Sequence, residues 1–329
     1  MAFDWSDKRV LVTGAGGFIG SHLTERLVRS GARVRALVRY NSMGRRGWLD
    51  SSQVGDEVEA VLGDVRDGDC VRRACEGVDV VFHLAALIGI PYSYEAPLSY
   101  VRTNVEGTLN VLKAARETGV AKVVHTSTSE AYGTARYAPM DENHPLQAQS
   151  PYSASKIAAD KLAQSFHLSY GLPVVTVRPF NAFGPRQSAR AVIPTIIIQA
   201  LEGSPVRLGS VHPTRDYTYV EDTVEGFILA AGPDAAAGRV INLGSGRETS
   251  IGDIAKMILK EVGGDLEIVT EQERKRPPES EVERLVADSR LAKELLGWQP
   301  ARSLEEGLRL TVEWFRNNRE RYRPDVYGV

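Results

Sequence analysis

Short apolar runs alternate with helical patterns over the first two-thirds of the chain. Arg9–Thr13, Arg33–Val38, Val58–Leu62, Val78–Leu84, Lys122–Thr126 and Val174–Val177 are bounded by turn residues and read as buried strands. Between them, helical segments are expected near Ile19–Ser30, Asp69–Glu76, Pro97–Thr118 and Pro151–Tyr170. Strand and helix in alternation give a parallel sheet with helices on both faces, because right-handed crossovers carry the chain back over the sheet. The expected class is α/β, a doubly wound parallel sheet with a smaller C-terminal α/β lobe. After Pro179 the pattern loosens. Helices are expected at Ile193–Leu201, Val220–Ala231, Ile251–Glu261 and Leu304–Asn317, with strands at Val240–Leu243 and Arg284–Ala287 and a charged loop over Glu271–Glu283. The sheet domain is drawn at residues 1–179 plus about 216–245. The lobe is drawn at 180–215 and 246–329, over the C-terminal edge of the sheet, where open α/β proteins bind ligands.

Composition narrows the function classes. Apolar residues make up 43% of the 329 positions and charged residues 25%, ordinary for a globular chain, and the net charge of -2 offers no basic field for nucleic acid. Arg72-Arg73 and Arg274-Lys275-Arg276 are accordingly expected to be solvated surface. Cys70 and Cys75 fall in one expected helix, poorly placed to pair, so a reducing cytoplasm fits. No basic leader and no run of ~18 apolar residues stands in the sequence, so no membrane partner is expected. No metal-ligand set is assigned.

The chemistry begins at "VLVTGAGGFIGSHL". Gly14, Gly17 and Gly20 lie between a strand and a helix, and such a turn brings backbone N–H groups and a helix N-terminus against a pyrophosphate. Phe18 and Ile19 open that helix. Asp64 and Val65 follow the third strand, where a carboxylate can accept from an adenine amino group. Leu84, Ala85 and Ala86 end the fourth strand with residues that border the cofactor. The second strand ends Leu37-Val38-Arg39-Tyr40-Asn41, without the acid that would hold the ribose hydroxyls of NAD. Arg39 could instead pair with a 2′-phosphate, so the cofactor is NAD or NADP with a lean to NADP.

"PYSASK" places Tyr152 and Lys156 one helical turn apart on one face, where an ammonium favours a phenolate base. "HTSTSEAYG" ends the fifth strand in hydroxyls and a carboxylate, Thr128, Ser129 and Glu130, an unusual choice for a strand with packing duty alone.

Taken with "TNVEGTLNVL", "RPFNAFGP", "TRDYTYVED" and "LGW.P", these motifs resemble the extended short-chain dehydrogenase/reductase family over nearly the full length. The resemblance implies a Rossmann domain with a tightly bound, recycled nicotinamide cofactor, a lobe for a nucleotide-diphosphate sugar, and a homodimer through helices 97–118 and 151–170. By position it implies that Thr128 bonds the sugar's 4-hydroxyl beside Tyr152, that Asn181 contacts the substrate and that Arg215 contacts its diphosphate. A guanidinium fork suits phosphate on chemical grounds too; a salt bridge from Arg215 to Asp216 or Asp222 is the alternative. Thr128-Ser129-Glu130 resembles the triplet of sugar-nucleotide 4,6-dehydratases. There, oxidation at C4 acidifies the C5 proton, a carboxylate removes it, and the C6 hydroxyl departs as water, protonated by Glu130 or through Ser129. "RYNSMGRRGWLDSS" and "GPRQSARAVIPTIIIQALEG" are similar to bacterial dehydratases of GDP- or UDP-N-acetylglucosamine. In that subgroup residues 188–193, with Arg190 and Val192, line the nucleotide side, and Leu87 and Ile88 give an apolar wall that suits an acetamido methyl. A UDP-glucuronate decarboxylase, a 4-epimerase and a catalytically silent cofactor-sensing module remain open alternatives.

Overall fold

The computed structural model describes residues 3–322. Its centre is a sheet of seven strands in the order β3-β2-β1-β4-β5-β6-β10: β1 Arg9–Thr13, β2 Arg33–Arg39, β3 Glu59–Gly63, β4 Val80–His83, β5 Lys122–Thr126, β6 Val174–Pro179 and β10 Val240–Leu243. All six pairings in it are parallel. The order reverses between β1 and β4, opening the crevice at the sheet's C-terminal edge in which α/β proteins bind ligands.

Alternate residues of each strand face opposite layers. Val10, Val12, Phe82 and Val124 point to the layer of α1 Phe18–Arg29 and α8 Val220–Ala231, and Leu11, Val81 and Val123 to that of α2 Gly68–Cys75, α5 Gly107–Thr118 and α6 Pro151–Tyr170. Short helices α3 Ile90–Glu95 and α4 Pro97–Tyr100 precede α5. The remaining strands form two small sheets, β11-β9-β7 and β12-β8, from β7 Asn181–Phe183, β8 Val206–Leu208, β9 Thr214–Tyr219, β11 Glu248–Ser250 and β12 Ile268–Thr270. Around them lie α7 Val192–Leu201, α9 Ile251–Val262, α10 Arg290–Leu296 and α11 Leu304–Arg316. β10 belongs to the large sheet although the chain reaches it only after building β7 to β9.

Two expectations are corrected. Arg284–Ala287 is not a strand: it makes isolated bridges, Arg284 to Thr214 at the start of β9 and Ala287 to Met140 in the loop before α6, because the segment passes from the one to the other without running along either. The helix expected over 97–118 is interrupted, with a π-helical segment at Val101–Glu106 between α4 and α5. Such a segment widens the helix locally and re-aims a side chain, here that of Asn104.

Candidate active site

The strand register builds the floor of the site. Thr13 of β1 lies beside His83 of β4, His83 beside His125 of β5, and His125 beside Thr176 of β6, a buried polar row across four strands at their C-terminal ends. The Thr13 hydroxyl oxygen accepts from the N–H groups of Leu84 and Ala85, both at 3.1 Å, which fixes the exit of β4 against the end of β1. Its own proton is then free for His83 Nδ1 at 2.8 Å, and His83 Nε2–H donates to Thr108 at 3.0 Å. Burial lowers the His83 pKa well below the ordinary range, so the ring is neutral, as this chain of donors requires.

Above the row sits the glycine turn. Gly14 has φ +70°, and a Cβ there would lie 2.9 Å from the Ala85 nitrogen, so both the conformation and the close approach require glycine. Gly17 caps α1 with no side-chain hydrogen bond, and the first turn, with Phe18, Ile19 and Gly20, carries no acid. The helix N-terminus therefore offers unpaired N–H groups to a phosphate, a fit to a dinucleotide. Arg39 is exposed at the end of β2. Arg66 grips the Asp64 carboxylate at 2.5 to 3.0 Å, and this lowers its pKa. Val65 is buried beneath Gly107 and its carbonyl accepts from Asn110, a packing position behind the pocket.

On the other side of the crevice, Thr128 leaves β5 in an extended conformation and caps a short 3₁₀ turn, Ser129–Tyr132, its hydroxyl accepting from Glu130 N–H at 3.3 Å. α6 starts with Pro151 after a Ser150/Ser153 capping box, which sets Tyr152 in the first turn and Lys156 in the second. Both are buried. Burial raises the Tyr152 phenol pKa, the Thr128 hydroxyl opposes this, and the Glu130 and Asp160 charges add to it, so Thr128, Tyr152 and Glu130 meet at one place. Burial lowers the Lys156 ammonium to about 8, with Asp160 opposing. Lys156 Nζ donates to the Thr126 carbonyl at 2.6 Å, and its remaining donors are available to a ligand. Tyr100 packs edge-on to Tyr152 at 6.2 Å.

Glu130 is 12% exposed at its side chain and lies 3.8 Å from Arg276, which lies 3.7 Å from Glu281, which lies 3.5 Å from Arg215. This corrects the reading of Arg276 as solvated surface, since the loop delivers it to the strand tip, while Lys275 of the same run is exposed as expected. Neither partner foreseen for Arg215 is used. Asp216 instead accepts from Ser245, Gly246 and Ala287, and Asp222 is held by Arg302. Asn181 leaves its side-chain oxygen buried without a partner. Burial raises the Tyr100 pKa and the exposed Arg190 guanidinium opposes it, and Val192 begins α7. Leu87 packs with Tyr100 and Tyr152, and Ile88 is 63% exposed.

Two positions at the site escaped the sequence reading. Asn104 accepts from Leu87 N–H at 2.8 Å and donates to the Leu87 carbonyl and to Ser155 at 2.9 Å, tying the exit of β4 to α6. The signal was present in "TNVEGTLNVL", but only the π segment aims Asn104 inward. Arg276 had no signal at all.

A nucleotide turn on one side, a tyrosine-lysine pair on the other and a carboxylate at a strand tip between them define a nicotinamide-dependent enzyme of the reductase type. The family model described as GDP-mannose 4,6 dehydratase matches residues 11–311. A UDP-glucose 4-epimerase of Mycolicibacterium smegmatis is 39% identical over 94% of this chain and 99% of its own. A dTDP-glucose 4,6-dehydratase of Streptomyces griseus is 36% identical over 96% and 97%. The crystal structure of DesIV, a dTDP-glucose 4,6-dehydratase from Streptomyces venezuelae with NAD and TYD bound, superposes with a TM-score of 0.88 at 31% identity, covering 96% of this chain and 99% of that one. The chain belongs to the extended short-chain dehydrogenase/reductases, in their family of sugar-nucleotide dehydratases and epimerases.

Proposed function

We propose that this protein is a 4,6-dehydratase of a GDP- or UDP-linked hexose, N-acetylglucosamine above all. The observation that carries the reading is Glu130, a carboxylate held by a capped turn within electrostatic reach of Tyr152 and Thr128. An enzyme that only oxidises and re-reduces C4 needs no acid there.

Thr128 and Tyr152 hold the 4-hydroxyl, and Tyr152, with the Lys156 ammonium one turn away, takes its proton. Held at the glycine turn of Gly14, Gly17 and Gly20 and by Lys156, a nicotinamide would supply the acceptor of the C4 hydride and its donor to C6. Glu130 takes the C5 proton, which the adjacent ketone has acidified, and the C6 hydroxyl leaves as water with a proton from Glu130 or relayed by Ser129. As hydride reaches C6, C5 regains a proton, the one that Tyr152 took from the 4-hydroxyl, directly or through solvent, so the sum is loss of one water with the cofactor unchanged. Asn181, with its free oxygen, faces the sugar, and Arg215, joined through Glu281 to Arg276, faces the diphosphate, while residues 188–193 with Arg190 and Val192 line the nucleotide. Leu87 and exposed Ile88 offer the apolar wall for an acetamido group. The lobe, drawn at 180–215 and 246–329, holds the two small sheets. Arg39, with no acid on β2, favours NADP. The exposed Leu98, Val101 and Leu168 support a homodimer through 97–118 and 151–170.

A 4-epimerase is the second reading, favoured by one feature: in the free protein Glu130 is engaged with Arg276, and a carboxylate so engaged orients instead of abstracting. The Glu130→Gln variant separates them. Under the dehydratase reading it still reduces its cofactor on substrate, accumulates the 4-keto sugar and loses water at least ~10²-fold more slowly. Unchanged turnover would remove Glu130 from the mechanism.

A further inference from the structure

Asp160 lies one turn beyond Lys156 on α6, and nothing in the reaction as described uses it. It is 5% exposed, yet its carboxylate accepts from three groups on two strands: His125 Nε2–H at 3.0 Å, the Ser127 hydroxyl at 2.5 Å, and Arg178 at 2.7 Å. Arg178 is 2% exposed, bonds Ser127 with its Nε at 3.2 Å, and stacks 4.4 Å over the ring of Tyr132, the last residue of the turn that carries Glu130. Tyr132 is fixed in turn by its hydroxyl on Asn242 at 2.9 Å.

We propose that Asp160 is a positioning residue for the first, oxidative step: clamped against β5 and β6, it acts through space on the Lys156 ammonium one turn away on its own helix and holds, through Arg178 and Tyr132, the turn bearing Thr128 and Glu130. One buried charge pair thus sets both halves of the catalytic apparatus. A buried pair is weak evidence for stability alone, since apolar residues of the same volume commonly do as well.

The surroundings define what Asp160's charge does. Lys156 faces it from α6, His125 and the neighbouring His83 from the sheet, Arg178 from β6, and Tyr152 from the first turn of α6. On the far side Asp160 and Arg178 border a cavity of about 270 Å³ whose titratable lining also includes Glu142, His144, Lys161 and His167. Burial pulls Lys156 down to about 8 and Asp160 is the charge that opposes it. Without that charge Lys156 loses its proton at lower pH. The ammonium exists below its pKa, so the alkaline limb of the oxidative step then moves down.

The inference rests on Tyr152 and Lys156 carrying out the oxidation, which dehydratase and epimerase share. The test compares the holoenzyme with Asp160→Asn and with the neutral-for-neutral double variant Asp160→Asn/Arg178→Gln. Measured are the pH profile of cofactor reduction on adding an NDP-sugar and, in the cofactor-free proteins, the titration of Lys156 by NMR. Both variants are expected to move the alkaline limb and the Lys156 titration downward by about one pH unit. The double variant regains thermal stability but not the limb. Should Asp160→Asn not fold, the double variant carries the comparison. A limb that stays in place, or that returns together with stability in the double variant, would make the pair structural only and overturn the proposal. Absence of cofactor reduction by the unaltered enzyme would sink the functional reading instead, and the Lys156 titration would still decide this one.

Discussion

Tyr152 concentrates the opposing forces of the site. Its phenol is buried with Glu130 and Asp160 both resisting ionisation, while the Thr128 hydroxyl favours it. The Lys156 ammonium, pulled down to about 8 by burial, must remain protonated to help. Tyr152→Phe is therefore expected to lower the rate of cofactor reduction by at least ~10²-fold with little change in melting temperature, measured by nicotinamide absorbance after mixing with substrate. Retention of the signal would mean that another base starts the reaction. Thr128, Glu130, Tyr152 and Lys156 were legible because each belongs to a contiguous motif whose local structure, strand tip or first helical turn, dictates where it points. Arg276 and Asp160 were not. Arg276 acquires its place from a loop far along the chain that folds back on Glu130, and Asp160 from partners on two other strands. Asp64 was legible as a position, but not the grip of Arg66, two residues away, on its carboxylate.

At the scale of elements, α6 depends on how it begins. Ser150 accepts from Ser153 N–H at 3.1 Å and Ser153 returns the bond to Ser150 N–H at 3.0 Å, with Pro151 at the first helical position. Tyr152 stands inside that first turn, so fraying of the cap moves the base itself. Ser150→Ala is expected to destabilise the protein by about 1 kcal/mol, seen in chemical denaturation, and to lower kcat more than it raises KM. Loss of stability with kcat intact would separate the cap from the chemistry. The long strands and helices of the sheet were legible since their apolar runs match the period of buried elements. The π segment was not, since nothing in the apolar spacing of 97–118 marks where one extra residue enters the helix. β7, β8, β11 and β12 are three residues each, too short for any periodicity to show.

For the molecule as a whole, the sheet, the glycine turn and the tyrosine-lysine pair supply a redox centre common to dehydratases and epimerases, and relatives of both names resemble the chain end to end. In the proposed reading, what separates the two outcomes is one acid at the tip of β5 and the loop that brings Arg276 to it. The arrangement also forms an ion ladder from Glu130 through Arg276 and Glu281 to Arg215. The most direct measurement is mass spectrometry of the product after incubation of the purified protein with GDP- and UDP-linked N-acetylglucosamine. The account expects a sugar nucleotide lighter by one water, with no net consumption of cofactor. A product of unchanged mass with C4 inverted would contradict it.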